Sequence, residues 1–126
     1  MEMPKLAPEA AKLVASLAAL DPRLETRKMF GQPAAFVNGN LCLGAFGGDV
    51  FLRLSDRDQA LASKMTGVRP FEPMPGRAMH AYLILPPEVL RDRTQSRLWV
   101  DRAVGFAASL PPKAAKPNRG KPRRPP

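Results

Sequence analysis

The sequence predicts an α+β domain in which an antiparallel β-sheet is packed on one face by helices, giving two layers. The sheet is expected to hold a meander of about four strands and one or two later strands. Two observations lead to this fold class. Short apolar segments follow one another across tight-turn residues between Thr26 and Leu54, as in consecutive hairpins. Segments with helical apolar spacing stand before and after them, so the helices are segregated from the strands.

The first helix is predicted from Pro8 to Leu20. Proline is tolerated in a first helical turn, and Glu9 suits the positive end of the helix dipole. Asp21-Pro22 ends the helix, because a residue before proline is pushed out of the helical region. Its apolar stripe recurs at spacings of three and four residues: Leu6, Ala10, Leu13, Val14, Leu17 and Leu20.

The meander is predicted as four strands joined by short turns. Asn38-Gly39 is typical of a two-residue hairpin turn, in which both central residues need positive φ. Side chains alternate between the two faces, so Val50, Leu52 and Leu54 should share one face of the fourth strand, and Phe51 and Arg53 the other. The strands are Thr26–Phe30, Ala34–Asn38, Leu41–Phe46 and Val50–Leu54.

The second half of the chain is expected to add two helices and a strand. Ser55 caps a helix that ends at Gly67. Met79–Leu85 is a strand that Pro86-Pro87 stops. Asp92–Leu110 is the last helix, with Asp92 and Gln95 as a capping pair. The predicted buried stripe of that helix is Trp99, Ala103, Phe106, Ala107 and Leu110.

Length and composition predict one folded domain, residues 1–110, in a reducing cytoplasmic setting. The chain has 126 residues, and Cys42 is its single cysteine, which excludes an intramolecular disulfide. No apolar run reaches the roughly 20 residues of a membrane span, so no membrane partner is expected.

Residues 111–126 are predicted to form a disordered, proline-rich basic tail. They carry six of the net nine positive charges, which leaves +3 for residues 1–110. The tail is either a solubilising segment or a weak, sequence-independent contact for nucleic acid. It has no aromatic residue on which bases could stack. Its cations are Lys113, Lys116, Arg119, Lys121, Arg123 and Arg124.

The residues give little indication of enzymatic chemistry. His80 is the only histidine, and with Cys42 it falls short of the roughly four ligands of a zinc site. Cys42 alternates within an apolar strand and is interpreted as a small buried hydrophobe. We therefore predict no catalytic residue, metal or cofactor. The alternative, a small-ligand binder or enzyme of unknown reaction, would need a pocket between sheet and helices.

Five short motifs, in this order, resemble the TfoX N-terminal domain family, the TfoX/Sxy group of bacterial proteins. They are RKMFG from Arg27, FVNGN from Phe36, VFLRL from Val50, RPFEPMPGRAM from Arg69 and YLILPPEVL from Tyr82. The match covers roughly Leu13 to Pro112. The resemblance implies a small α+β domain with an antiparallel sheet and a role linked to transcriptional regulation of natural competence. It provides no catalytic residues.

The sequence thus favours a non-enzymatic bacterial regulatory domain that acts through contacts with another protein. A candidate binding surface consists of Arg27, Lys28, Arg77, His80 and Tyr82. Arg27 and Lys28 point to opposite faces of a regular strand, so at most one of them belongs to a given surface. The same residues are also explained as ordinary strand and loop positions, and the sequence leaves both interpretations open.

Overall fold

The predicted α+β class is confirmed by a computed structural model, which describes residues 5–29, 31–73, 76 and 79–113. The helices are α1 (Pro8–Ala18), α2 (Asp56–Ala62), α3 (Pro87–Arg91) and α4 (Arg93–Ser109). The strands are β1 (Glu25–Met29), β2 (Gln32–Val37), β3 (Asn40–Phe46), β4 (Asp49–Arg53), β5 (Arg69–Pro70) and β6 (Tyr82–Leu85).

Six strands form one sheet in the order β1-β2-β3-β4-β6-β5, and every neighbouring pair is antiparallel. The predicted meander is β1 to β4. Asn38 and Gly39 have φ of 52° and 81°, the positive values that their hairpin turn requires. The later strand β6 pairs with β4, and the two-residue β5 closes the far edge.

Several element boundaries differ from the sequence expectations. The helix expected to end at Gly67 ends at Ala62, five residues earlier. The strand expected to start at Met79 starts at Tyr82, because Ala81 has φ of 82°, which lies far from extended backbone. Pro86-Pro87 ends the strand as predicted, but it also begins the unpredicted helix α3, whose first turn accommodates Pro87.

One face of the sheet, here called the helix face, is covered by α1 and α4. Val50, Leu52 and Leu54 lie on it, as the alternation predicted. Phe106 was expected in the buried stripe of the last helix. It is instead half-buried and packs against the apolar cluster on the opposite face of the sheet. The buried helix residues of this core are Ala10, Leu13, Val14, Leu17, Trp99, Val100, Ala103, Val104 and Ala107.

The helices are fixed by side chains at their ends. Ser55 Oγ accepts the Asp58 N–H at 3.2 Å and Asp92 Oδ2 accepts the Gln95 N–H at 2.8 Å, which confirms both predicted caps. Arg102 donates to the mostly buried Asp58 carboxylate at 2.5 Å and so joins α4 to α2. No helix in the described part of the chain is long and apolar enough to cross a membrane.

The chain that follows α4 is attached to the β2–β3 turn. The Lys113 N–H donates to Asn38 O at 2.8 Å, and Asn40 Nδ2 donates to Pro111 O at 3.1 Å. A Cβ on Gly39 would overlap the Lys113 carbonyl, so glycine permits this close approach. Pro111 and Lys113 of the predicted tail thus contact the domain, and residues 114–126 lie outside the described ranges.

Trp99→Ala is expected to lower the free energy of unfolding by about 3–5 kcal/mol, because this side chain is 5% exposed within the core of the helix face. The neighbouring Leu98 is 42% exposed, and Leu98→Ala should change stability by less than about 0.5 kcal/mol. Urea unfolding of both variants measures the difference. Similar losses in the two variants would mean that α4 presents another side to the sheet.

Candidate interaction surface

The sheet face opposite the helices carries a second apolar cluster, here called the aromatic face. Its members come from β1, β2, β3, β4 and β6, from the segment between β5 and β6, and from α4. Its buried members are Ala34, Leu41, Phe51, Phe71, Ala81, Tyr82 and Ile84. Its partly buried members are Met29, Phe36, Phe46, Met79 and Phe106. The prediction put helices on one face and named nothing that covers the other.

Phe71 covers the middle of the aromatic face. Its ring stacks on Phe51 with centroids 4.3 Å apart and an interplanar angle of 12°. Phe46 meets the same ring edge-on at 5.3 Å. The Phe71 N–H donates to Tyr82 O at 3.1 Å, and Phe71 O accepts the Met79 N–H at 2.8 Å. These bonds hold Phe71 over the sheet, so that Phe51 is fully buried beneath its ring.

Gly44 makes room for the Phe51 ring. The two residues are cross-strand partners on β3 and β4, and the next partner of Gly44, on β2, is Ala34. A Cβ on Gly44 would lie 2.8 Å from Phe51 Cζ and 3.0 Å from Ala34 Cβ, closer than such atoms approach. The large Phe51 ring therefore packs against two small residues, Gly44 and Ala34.

The rim of the aromatic face keeps apolar groups within reach of solvent. Met29, Phe36 and Phe46 are half-buried, and Arg27 lies over the Phe36 ring at 5.1 Å while pairing with Glu25 at 3.2 Å. A groove of about 310 Å³ separates Phe46, Phe71 and Ile84 from the Asp49–Arg69 ion pair. The rim thus combines aromatic side chains, methionine and arginine.

Arg53 lies on the aromatic face at the end of β4. Its Cζ is 5.3 Å from the Tyr82 ring centroid and 5.9 Å from that of Phe106. Its Nη1 donates to Leu41 O at 3.4 Å, and its Nε is buried with no acceptor among the described residues. Burial raises the pKa of Tyr82, and the Arg53 charge opposes that rise. A cation is therefore held among aromatic rings.

The five residues of the predicted surface do not converge on one pocket in the described structure. Arg27 and Tyr82 share the aromatic face, but β1 and β6 are four strand spacings apart, about 19 Å at ~4.8 Å per spacing. Lys28 alternates to the opposite face. His80 is 84% exposed, with Nε2 3.4 Å from Asp56 Oδ1, and precedes the strand on which it was expected. Arg77 lies outside the described residues.

Of the tail cations, Lys113 is exposed beside the β2–β3 turn. The other five, Lys116, Arg119, Lys121, Arg123 and Arg124, lie outside the described residues. Arg53 is absent from the candidate residues predicted from the sequence, although strand alternation puts it on the same face as Phe51.

Cys42 and the carboxylates provide no reactive centre in the described ranges. Cys42 sits at an irregularity in the β2–β3 pairing and is fully buried, as the interpretation as a small hydrophobe predicted. Burial raises the pKa of its thiol to about 12, so it is neutral near pH 7. Within the described ranges, no group of three or more His, Cys, Asp and Glu side chains is placed to hold a metal ion.

A small cavity of about 130 Å³ lies between α1, the start of β4 and α3. The Glu9–Arg91 pair, at 3.4 Å, and the Asp49–Arg69 pair, at 2.9 Å, contribute to its lining. Pockets for small-molecule ligands generally enclose about 300–1,000 Å³, so this one is small for a substrate or cofactor. His80 and Tyr82 are not among its lining residues.

Gly44→Ala is expected to destabilise the protein by about 1–3 kcal/mol, because the added methyl group would collide with the Phe51 ring. Gly105→Ala is the matched control: this helical glycine has open space around it, and alanine there should stabilise α4 by about 0.5–1 kcal/mol. Denaturant unfolding would give both values. A neutral or stabilising Gly44→Ala would show that Phe51 does not lie against Gly44.

Comparison with known proteins agrees with the fold. The family model for the TfoX N-terminal domain matches residues 15–107, which include every strand of the sheet, most of α4 and the last turn of α1. This family is not a known enzyme family. A search of curated proteins finds no match. With the match extending over most of its length, the chain belongs to the TfoX N-terminal domain family.

Proposed function

We propose that this chain is a non-enzymatic bacterial regulatory domain that binds a partner protein on its aromatic face. The observation that carries this proposal is the partly exposed rim of that face, which includes Met29, Phe36, Phe46, Arg27 and Arg53. Aromatic residues, methionine and arginine are the types enriched where proteins contact one another. Membership of the TfoX N-terminal domain family supports a role in transcriptional regulation, including regulation of competence.

The groove between Phe46 and Phe71 provides a place for an anchoring side chain. Its volume of about 310 Å³ accommodates a large apolar group against Phe46, Phe71 and Ile84. The Asp49–Arg69 pair at 2.9 Å provides a polar border. Binding energy at protein interfaces concentrates in such apolar pockets with polar surroundings.

Charge favours an acidic partner over a second copy of the chain. The net charge of +9 would make two copies repel each other. Arg27 and Arg53 add cations on or beside the rings that a partner would cover. An acidic partner would gain complementary contacts there.

With Cys42 as its only cysteine and no disulfide, the chain suits a reducing compartment, and we propose that this interaction takes place in the cytoplasm.

Site-specific crosslinking in the bacterial host tests this proposal. A photoreactive phenylalanine analogue is placed at Phe36, at Phe46 and, as a control, at Leu98, which is 42% exposed on α4. We expect irradiation to give a covalent adduct to the same partner protein from Phe36 and Phe46, and none from Leu98. Circular dichroism of the purified variants verifies that they fold.

Three results would contradict the proposal. Absence of adducts at both Phe36 and Phe46 would mean that the aromatic face is not a docking surface. Equal adducts from Leu98 would show contacts without surface preference. Adducts with twice the mass of the chain would identify the occupant as a second copy and exclude the acidic partner.

A further inference from the structure

Arg53 differs from the arginines that form ion pairs within the domain. Five arginines lie within 3.4 Å of a carboxylate: Arg23 with Asp21, Arg27 with Glu25, Arg69 with Asp49, Arg91 with Glu9 and Arg102 with Asp58. Arg53 has no such partner among the described residues, although it is less exposed than most of the surface cations. Its charge is therefore uncompensated within the part of the domain that the structure describes.

The surroundings of Arg53 fix the guanidinium plane. Tyr82 and Phe106 lie within 5.9 Å of Cζ, and Nη1 reaches Leu41 O at the long distance of 3.4 Å. Nε is enclosed, so its edge of the guanidinium is closed to a ligand. An acceptor would therefore have to approach from the opposite edge, which is formed by Nη1 and Nη2. Aromatic packing orders the side chain before binding and so lowers the entropy lost on binding.

The burial of an unpaired guanidinium N–H lowers the stability of the folded domain. An enclosed N–H without an acceptor loses its hydration and gains no hydrogen bond in return. An apolar side chain of similar length would cover Tyr82 and Phe106 without that loss. A residue that serves only packing would therefore not need a guanidinium at this position. The charge opposes the burial-driven rise in the pKa of both Tyr82 and Cys42, which indicates that its field extends into the domain.

We propose that Arg53 is the anchor for a carboxylate of the acidic partner, which binds end-on at the Nη1–Nη2 edge. This inference rests on the proposed docking function of the aromatic face. Charge-assisted hydrogen bonds from arginine to a carboxylate are among the strong ones, and they strengthen where rings exclude water. Arg53 thereby selects an aspartate or glutamate side chain, while the groove at Phe46, at the other end of β4, takes a separate apolar group of the partner.

Nuclear magnetic resonance on the full chain gives the direct test, because the enclosed Arg53 Nε–H is sheltered from solvent exchange and provides a signal. Sodium acetate is titrated, with sodium chloride at equal ionic strength as the control and inorganic phosphate as the competing oxyanion. We expect acetate to shift the Arg53 Nε–H and the nearby Tyr82 amide saturably, and chloride to leave them unchanged. Equal shifts with chloride, or saturation by phosphate alone, would overturn the assignment to a carboxylate.

Arg53→Met separates binding from structure, and Arg53→Lys separates charge from guanidinium geometry. We expect Arg53→Met to leave Tm unchanged or higher and to reduce binding of a hexaglutamate peptide at least tenfold, with Arg53→Lys intermediate. A fall in Tm of more than about 4 °C, the shift of roughly 1 kcal/mol in a domain of this size, would assign Arg53 a structural role. Unchanged hexaglutamate binding would also overturn the proposal.

The two proposals fail in different ways. If the crosslinked adduct at Phe46 forms undiminished with Arg53→Met, the docking surface stands and Arg53 is not its anchor. If acetate binds at Arg53 but neither Phe36 nor Phe46 gives an adduct, the carboxylate site stands and the docking function is wrong.

Discussion

The stacking of Phe71 on Phe51 determines how this small domain uses its sheet. α1 and α4 cover one face only, so the apolar side chains of β4 and β6 on the other face need a separate cover. Phe71 provides it from a segment without regular structure, with ring centroids 4.3 Å apart. Gly44 makes the contact possible, because a side chain there would displace the Phe51 ring. The centre of the sheet is thereby buried on both faces.

A cover made of a loop is smaller than a cover made of helices. Phe71 is 1% exposed and protects the centre, while Phe36 and Phe46 near the rim stay half-buried. The same arrangement that completes the core therefore leaves an apolar border with arginines beside it. We propose this border as the docking surface, with the groove at Phe46 at one end and Arg53 at the other. The core and the docking surface are two parts of one cluster.

Elements defined by short-range chemistry were predictable from the sequence. The Asn38-Gly39 turn, the caps at Ser55 and Asp92 and the alternation along Val50–Leu54 each depend on a few neighbouring residues. The start of β6 was not predictable, because nothing in the sequence signals that Ala81 adopts positive φ. The cover of the aromatic face was missed because Phe71 meets Phe51 only through the non-local pairing of β4 with β6.

The candidate site was predictable only in part, for a related reason. Arg27 and Tyr82 were chosen from family-like motifs, and they do share a face, but strand order separates them. Arg53 could have been selected with Phe51 from alternation alone. That no carboxylate pairs with Arg53 in the described part of the chain depends on where Tyr82, Phe106 and the acidic side chains come to lie. Whether an arginine lacks a carboxylate beside it in the folded domain cannot be seen from the order of residues in the sequence.

The stability lost in Phe71→Ala tests the central claim most directly. If Phe71 closes the aromatic face as described, equilibrium unfolding should show a loss of about 3–5 kcal/mol, because a fully buried ring is removed from a packed cluster. A loss below about 1 kcal/mol would contradict the account, since it would mean that the aromatic face does not depend on this cover.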